Sequence, residues 1–297
     1  MISGEPLVSV GVPVFNGEDF LRDTLASLLS QTFENFEVVV SDNASSDRTE
    51  TICREFASLD RRIRYFRQPR NFGAPENWNF VVRQARGKFF KWASASDICM
   101  PQYLDACVRP LIADEDLVLC FGKTTYIDEA GRSVAMREND VEALDMRPSD
   151  RFLRVFLNLG MNNEQYGVIR REALLRTRLN RSYPHQDLVL MAELALLGKF
   201  KLLPETVLVR RVAAGHWTGL MSEDELNTLF WPDTKPEHPN LLLRRHLDYL
   251  RTALASPINR KERARAAALA LRFAYWRKAQ IARELIDFVR RPRPIAA

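Results

Sequence analysis

Leu7-Val8-Ser9-Val10-Gly11-Val12-Pro13-Val14 is a short valine-rich run that ends against the polar Phe15-Asn16-Gly17-Glu18. A continuous apolar run of this length reads as a strand buried on both faces, the kind found in helix-covered parallel sheets. Directly after it the period changes. Phe20, Leu21, Thr24, Leu25, Leu28 and Leu29 mark one helical face that ends near Gln31. Phe36 to Val40 is a second strand, and the loop Ser41-Asp42-Asn43-Ala44-Ser45-Ser46-Asp47 supplies N-caps for a helix through Phe56. Ile63 to Phe66 is a third strand, Pro75 to Ala85 a third helix, and Lys88 to Ala93 a fourth strand after Gly87.

Strands alternating with helices of this length imply βαβ units, hence an α/β fold with a mostly parallel sheet flanked by helices. Ligands in such sheets bind beyond the carboxyl ends of the strands. The polar segments 13–18, 41–47, 68–73 and 94–97 all lie there, so they are where a site is expected.

Beyond Met100-Pro101 a helix precedes the apolar run Leu117 to Phe121. Thr124 to Ile127 and Ser133 to Met136 flank Asp128-Glu129-Ala130-Gly131 as a hairpin. Helical spacing returns at Asp150–Leu159, Glu172–Arg176 and the strongly apolar Asp187–Leu197, closed by Gly198. Val207 to Val212 reads as a final short strand. From Asn240 the pattern is helical to about Arg291, interrupted at Pro257.

Charge divides the chain unevenly. Residues 257–297 hold 11 Lys/Arg and 3 Asp/Glu, a net of +8, while the first 256 residues carry 32 basic and 35 acidic side chains, a net of −3. The overall +5 therefore belongs to the C-terminal arm, and it gives no reason to expect nucleic acid as a partner of the body. Cys53, Cys99, Cys107 and Cys120 form no Cys-x-x-Cys pair, so a disulfide scaffold is not expected. Met1 to Pro6 lacks a signal-peptide pattern, and no stretch approaches the about 20 apolar residues that span a bilayer. A soluble chain in the reducing cytoplasm is the expectation.

Several chemistries are disfavoured by missing motifs. No Gly-rich dinucleotide or P-loop motif follows the first strand, no Gly-x-Ser-x-Gly elbow occurs, and no His/Cys group has zinc spacing. What remains is a strand-end site rich in Asp, Asn and Ser.

In that context Val12-Pro13-Val14-Phe15-Asn16, Leu28-Leu29-Ser30-Gln31-Thr32 and Ser41 to Asp47 resemble the opening of a family-2 glycosyltransferase of GT-A fold. Asn71-Phe72-Gly73, Asn79, Ala85-Arg86-Gly87 and Ser94-Ala95-Ser96-Asp97 continue it in order. Tyr126 to Gly131, Tyr166 to Arg171 and Asp187 to Phe200 resemble a bacterial branch of that family that builds surface polysaccharides, so the similarity spans roughly residues 6 to 220.

The resemblance implies transfer of a sugar from a nucleoside-diphosphate donor to an acceptor hydroxyl, with inversion, in surface polysaccharide or glycoconjugate synthesis. Residues 1–122 would be the nucleotide-sugar half, 123–235 the acceptor half of the same domain, and 236–297 a basic helical extension. Pro13, Val14, Phe15 and Asn16 would cradle base and ribose, and Asp42 would accept from the base edge. Asn71, Gly73 and Asn79 would shape the pocket wall. Asp187, in Tyr183-Pro184-His185-Gln186-Asp187, would be the catalytic base, with His185 near the acceptor.

Where the family usually holds a divalent cation with Asp-x-Asp-Asp, this chain has Ser94-Ala95-Ser96-Asp97. Asp97 remains as a metal ligand, while Ser96 replaces the carboxylate before it. Ala213 stands where the family often has a His after Arg210-Arg211. Both departures weaken Mn or Mg binding, and Arg210, Arg211 and His216 become the groups expected to neutralise the donor diphosphate.

Each residue also has a plainer reading: Asp42 as an Asx-turn, Asn79 as a helix amide, Arg210-Arg211 as a strand surface pair, Asp187 as a first-turn carboxylate. A catalytically silent nucleotide- or glycan-binding homologue and a sugar nucleotidyltransferase are the alternative functions. For the arm, Ala267, Leu271, Ala274, Ile281, Leu285 and Phe288 with Arg265, Arg272, Lys278 and Arg283 around them leave three readings. It packs on its own domain, lies on an anionic membrane near lipid-linked acceptors, or pairs in a homodimer.

Overall fold

A computed structural model describes residues 4–136, 140–212, 221–233 and 241–290. The run that opens the chain forms β1 (Val8–Val14), all seven residues of which are buried. It lies between β2 (Phe36–Asp42) and β4 (Phe89–Trp92), parallel to both, with β3 (Ile63–Arg67) parallel on the outer side of β2. Val8, Val10 and Val12 face one cluster with Leu21 and Leu25 of α1 (Leu21–Leu29), Ile52 of α2 (Thr49–Leu59) and Leu104 of α4 (Tyr103–Ala113). Val39 of β2 faces the opposite cluster with Val81 and Val82 of α3 (Ala74–Gln84). Helices on both sheet faces explain why the strand shows no polar alternation.

The sheet continues with β7 (Val168–Arg170), β6 (Leu117–Ile127), β8 (Lys199–Arg211) and β5 (Ile98–Cys99), giving the order β3-β2-β1-β4-β7-β6-β8-β5. β6 and β8 run parallel, whereas β7 is antiparallel to both its neighbours and β5 is antiparallel to β8. The fold is therefore the expected helix-flanked α/β sheet, with an antiparallel insertion by a strand too short to be legible as a period.

Two expectations on this side are corrected. The final strand begins at Lys199, not Val207, because Pro204 breaks the apolar pattern without ending the strand. The register slips there, with Gly122 opposite Leu203 and Lys123 opposite Val207, so the proline's missing N–H falls in an irregular stretch of the ladder. Gly122 allows this approach: a Cβ on it would lie 2.3 Å from the Thr206 carbonyl oxygen. After the turn at Asp128–Gly131, Ser133 makes one bridge to Ile127, and no second hairpin strand forms among the described residues.

α7 (Gln186–Leu197) is apolar nearly all round because it is covered on two sides. Leu190, Met191 and Leu194 join the sheet-side cluster. Val189, Ala192 and Leu196, with Phe152 of α5 (Pro148–Asn158), meet Tyr249 and Ala253 of α9 (Leu241–Ala255) and Ala266, Ala270 and Phe273 of α10 (Arg260–Trp276). The first part of the basic arm thus packs on the body. The break at Pro257 is present, and a second break at Arg277 starts α11 (Lys278–Arg290). α6 (Arg171–Leu175) and α8 (Glu223–Phe230) are short connecting helices. All four cysteines are buried and free.

Candidate active site

The carboxyl ends of β1 and β2 are laced together by their loops. The Asn16 amide donates to Ser45 Oγ at 2.9 Å, its Oδ1 accepts from the Ser46 amide at 2.9 Å, and the Gly17 amide donates to Thr49 Oγ1 at 2.8 Å. Pro13 and Val14 are buried in the strand, whereas Phe15 and Asn16 are exposed at its end. Non-glycine residues with left-handed backbone are uncommon. Among the described residues they are Asn16, Ala44, Asn162, Leu179 and His185. The first two lie in these loops, and Asn162 and His185 flank Asp187.

Asp42 is fully buried and its carboxylate is already served. Oδ1 accepts from the Ser45 amide at 2.8 Å, and Oδ2 accepts from Tyr65 Oη at 2.9 Å and Arg67 at 2.7 Å. That geometry is the Asx-type turn anchored by an ion pair, and it presents no exposed carboxylate oxygen. Beside it Asn43 Nδ2 donates to Asn71 Oδ1 at 2.6 Å, while the Phe72 and Gly73 amides donate to Asn43 and Asn71. Gly73 has φ 85°, and a Cβ there would lie 2.9 Å from the Phe230 carbonyl oxygen, so the loop after β3 needs glycine on two counts. Asn43 was not singled out from the sequence, yet it ties Asn71 and Gly73 together.

Asn79 does not join this wall. Two residues along a helix turn a side chain about 200°, so Asn77 and Asn79 face opposite ways. Asn77 donates to the Ser41 carbonyl at 2.9 Å, whereas Asn79 is locked to Asn180 by an amide pair at 2.8 and 2.9 Å. Asn180 in turn accepts from Gln186 at 2.7 Å, at the start of α7.

Asp97 lies among cations. It is buried, its Oδ1 accepts from the Arg211 amide at 3.2 Å, and its Oδ2 faces Arg210 Nε at 3.6 Å. Burial pushes its carboxyl above the usual range, opposed by Arg210, the Arg211 amide and Lys91. Lys91 is itself fully buried, donating to the Tyr166 and Trp92 carbonyls, and burial pushes its ammonium below the ordinary value. Ser96 is buried, with Oγ 3.1 Å from Ser94 Oγ.

Hard divalent cations want several carboxylate or carbonyl oxygens at one point. Here the single carboxylate of the loop is flanked by a guanidinium and an ammonium, and among the described residues no group of three or more His, Cys, Asp or Glu is placed to hold a metal ion. Asp97 Oδ2 is buried without a hydrogen-bond partner, so this loop offers a divalent cation one protein carboxylate, with Ser96 in place of a second.

Arg210 and Arg211 do not act as a pair, because neighbours on a strand point to opposite faces. Arg210 lies over the Tyr166 ring at 4.6 Å and donates to Asn163 Oδ1 at 2.8 Å. Burial works against its charge, but Tyr166, Asp97 and other partners outweigh that and raise its value. Arg211 instead reaches Asp23 at 3.3 Å and lies over Phe20 at 4.3 Å. The Arg211 side chain therefore holds α1 to the sheet edge. His216 and Ala213 lie outside the described residues.

Asp187 begins α7 half-buried, its Oδ2 accepting from Asn162 Nδ2 at 2.7 Å. It lies near enough to act on the charge of Tyr166 and Arg210. Burial pushes the Tyr166 hydroxyl up to about 12, against the pull of Arg210. Arg210 and Tyr166 thus join the Asp97 loop to the Asp187 loop. Asn162, Asn163 and Tyr166 were missed from the sequence as site residues. The available signal was the run of four polar residues Asn162-Asn163-Glu164-Gln165, all of which the structure buries.

The chain can be compared with known proteins on this basis. Residues 9–177 match the family described as glycosyl transferase family 2. An uncharacterized glycosyltransferase of Rickettsia felis is 35% identical over 131 residues, a match spanning 43% of this chain and 21% of that protein. Among solved structures, S. aureus TarS 1-349 in complex with UDP-GlcNAc superposes with a TM-score of 0.67 at 17% identity, over 95% of this chain and 80% of that one. The mannosyltransferase PcManGT of Pyrobaculum calidifontis, in complex with GDP-Man and Mn2+, gives 0.51 at 18% identity over 92% and 76%. These likenesses show the same fold, and the match over more than half of its length settles the family: the chain belongs to glycosyl transferase family 2.

Proposed function

We propose that this chain transfers a sugar from a nucleoside-diphosphate donor to an acceptor hydroxyl with inversion. The observation that carries the reading is the cluster formed by Asp97, Arg210, Tyr166, Asn162 and Asp187, which joins the loop after β4 to a half-buried carboxylate at the start of α7. Residues 1–122 then hold the nucleotide sugar, and 123–235 supply most of the acceptor side. Phe15, Asn16, Asn71 and Gly73 line the nucleotide end, with Pro13, Val14 and Asp42 fixing the backbone beneath them.

In the transfer the acceptor oxygen attacks the anomeric carbon as the bond from that carbon to the phosphate oxygen breaks. Asp187 takes the acceptor proton, and the electron pair of the broken bond leaves with the nucleoside diphosphate. Arg210 is the fixed cation next to that developing charge, a geometry suited to phosphate oxygens. No step needs a divalent cation.

The acceptor is read as a glycan or a lipid-linked sugar of a surface polysaccharide or glycoconjugate. Leu271, Tyr275 and Trp276 are exposed where α10 meets α11, with Arg272 over Trp276 at 4.6 Å and Lys278 over Tyr275 at 3.8 Å. A basic, aromatic edge of this kind matches an anionic lipid surface, supporting peripheral contact at the inner membrane face. Among the described residues no helix is long and apolar enough to cross a membrane.

The test is a thermal-shift panel of UDP-GlcNAc, UDP-glucose, GDP-mannose and dTDP-glucose, followed by assay of released nucleoside diphosphate. A donor at 100 times its Kd adds about 2.7 kcal/mol of stability. Turnover lost in Asp187→Asn with donor binding kept supports the reading. Binding with no turnover in the wild type favours the catalytically silent homologue, and pyrophosphate release favours the nucleotidyltransferase.

A further inference from the structure

Asn162 stands between α5 and the turn Asn163–Tyr166, and its side chain crosses to the start of α7. Its Nδ2 donates to Asp187 Oδ2 at 2.7 Å and to Gln165 Oε1 at 3.0 Å. Both N–H protons are committed, and a flipped amide would set its oxygen against two acceptors. The residue is 4% exposed, and its Oδ1 is buried without a hydrogen-bond partner. Its backbone is left-handed, at φ 49° and ψ 48°. Glycine would meet that backbone demand and leave no orphaned oxygen, so the turn alone does not account for an amide here. The donor to Asp187 does. Just before Asp187 in the chain, His185 is also left-handed at φ 62°, and Gln186 is tied to Asn180.

We propose that Asn162 is a positioning residue for the transfer, holding one oxygen of Asp187 so that the other faces the acceptor hydroxyl. The inference rests on the reading of Asp187 as the base. A hydrogen bond donated to one carboxylate oxygen fixes the rotamer of the side chain, so the amide orients the base towards the acceptor.

Two variants test it on the full chain, with the donor that turns over in the panel above. Asn162→Gly keeps the left-handed backbone and removes the amide. Asn162→Asp keeps the shape and replaces donor by acceptor, and it serves if the glycine variant fails to fold. The expected result is a fall in kcat of about 10- to 100-fold with donor Kd within twofold. In an Asp187→Asn background the same change should cost nothing further. An unchanged kcat, or a fall in kcat that recurs at the same size in the Asp187→Asn background, would overturn the role of Asn162. Full activity in Asp187→Asn overturns the base itself. An inactive Asp187→Asn beside a wild-type-like Asn162→Gly removes Asn162 alone.

Discussion

Arg210 Nε stands 3.6 Å from Asp97 Oδ2, joining the end of β8 to the loop after β4. In the proposed transfer this pair lies beside the donor diphosphate, where Arg210 would supply the positive charge.

Arg210→Ala is expected to weaken UDP or GDP binding by about 10- to 100-fold, the scale of one or two charge-assisted hydrogen bonds. Arg210→Lys should recover only part of it, since an ammonium lacks the planar fork. Calorimetric titration with and without EDTA checks both, and the wild-type affinity should be the same in each.

Glu164 gives a pH dependence with a definite sign. It is fully buried, with Oε1 accepting from the Val141 amide at 2.6 Å, and burial pushes its carboxyl up to about 8. Because the folded value lies above the unfolded one, the folded state binds the extra proton. Stability is fullest below about pH 4.5 and falls as pH rises towards 8. Glu164→Gln should therefore gain on the wild type by about 1 kcal/mol or more between pH 5 and pH 9 in urea melts.

Asn79→Ala should cost about 1–3 kcal/mol of stability by orphaning Asn180. Nucleotide affinity should be unchanged, because its amide faces Asn180 and not the β1–β2 loops. A loss of affinity in isothermal titration, with stability intact, would return Asn79 to the pocket wall.

Gly122→Ala should destabilise by about 1–3 kcal/mol, as its Cβ meets the Thr206 carbonyl oxygen at 2.3 Å. Thermal melts in parallel with Gly131→Ala, where nothing lies within 4 Å, separate crowding from the left-handed backbone cost at φ 78°.

Replacing Trp276 by Ala together with Arg277→Glu and Lys278→Glu should abolish flotation with phosphatidylserine vesicles and leave the melting temperature within a few degrees. These side chains are exposed and lie beyond the core of α10. Flotation that survives the triple change would remove this edge as the lipid contact.

The first four strands and their loops were legible because their signals are local. Val8–Val14 is buried on both faces and so is apolar throughout, and each polar loop follows its strand directly. β7 was not legible, since three residues carry no period and their place between β4 and β6 is set by partners far along the chain. The roles of Arg210 and Arg211 could not be separated either. Adjacent residues of one type look alike in a sequence, and only the strand's pleat sends one to Tyr166 and the other to Asp23.

By itself the sequence determined the alternation of buried strands and amphipathic helices, the loops at the strand ends, and the missing carboxylate before Asp97. Those depend on periods of two to four residues and on side-chain chemistry in place. The tertiary structure alone decided that Asp97 is ringed by Lys91 and Arg210, and that Asp42 and Asn79 are held by internal bonds. It also decided that Asn162 grips Asp187. Each of these is a contact between segments distant in the chain, and its energy depends on burial and on distances of about 3 Å that only the folded packing sets.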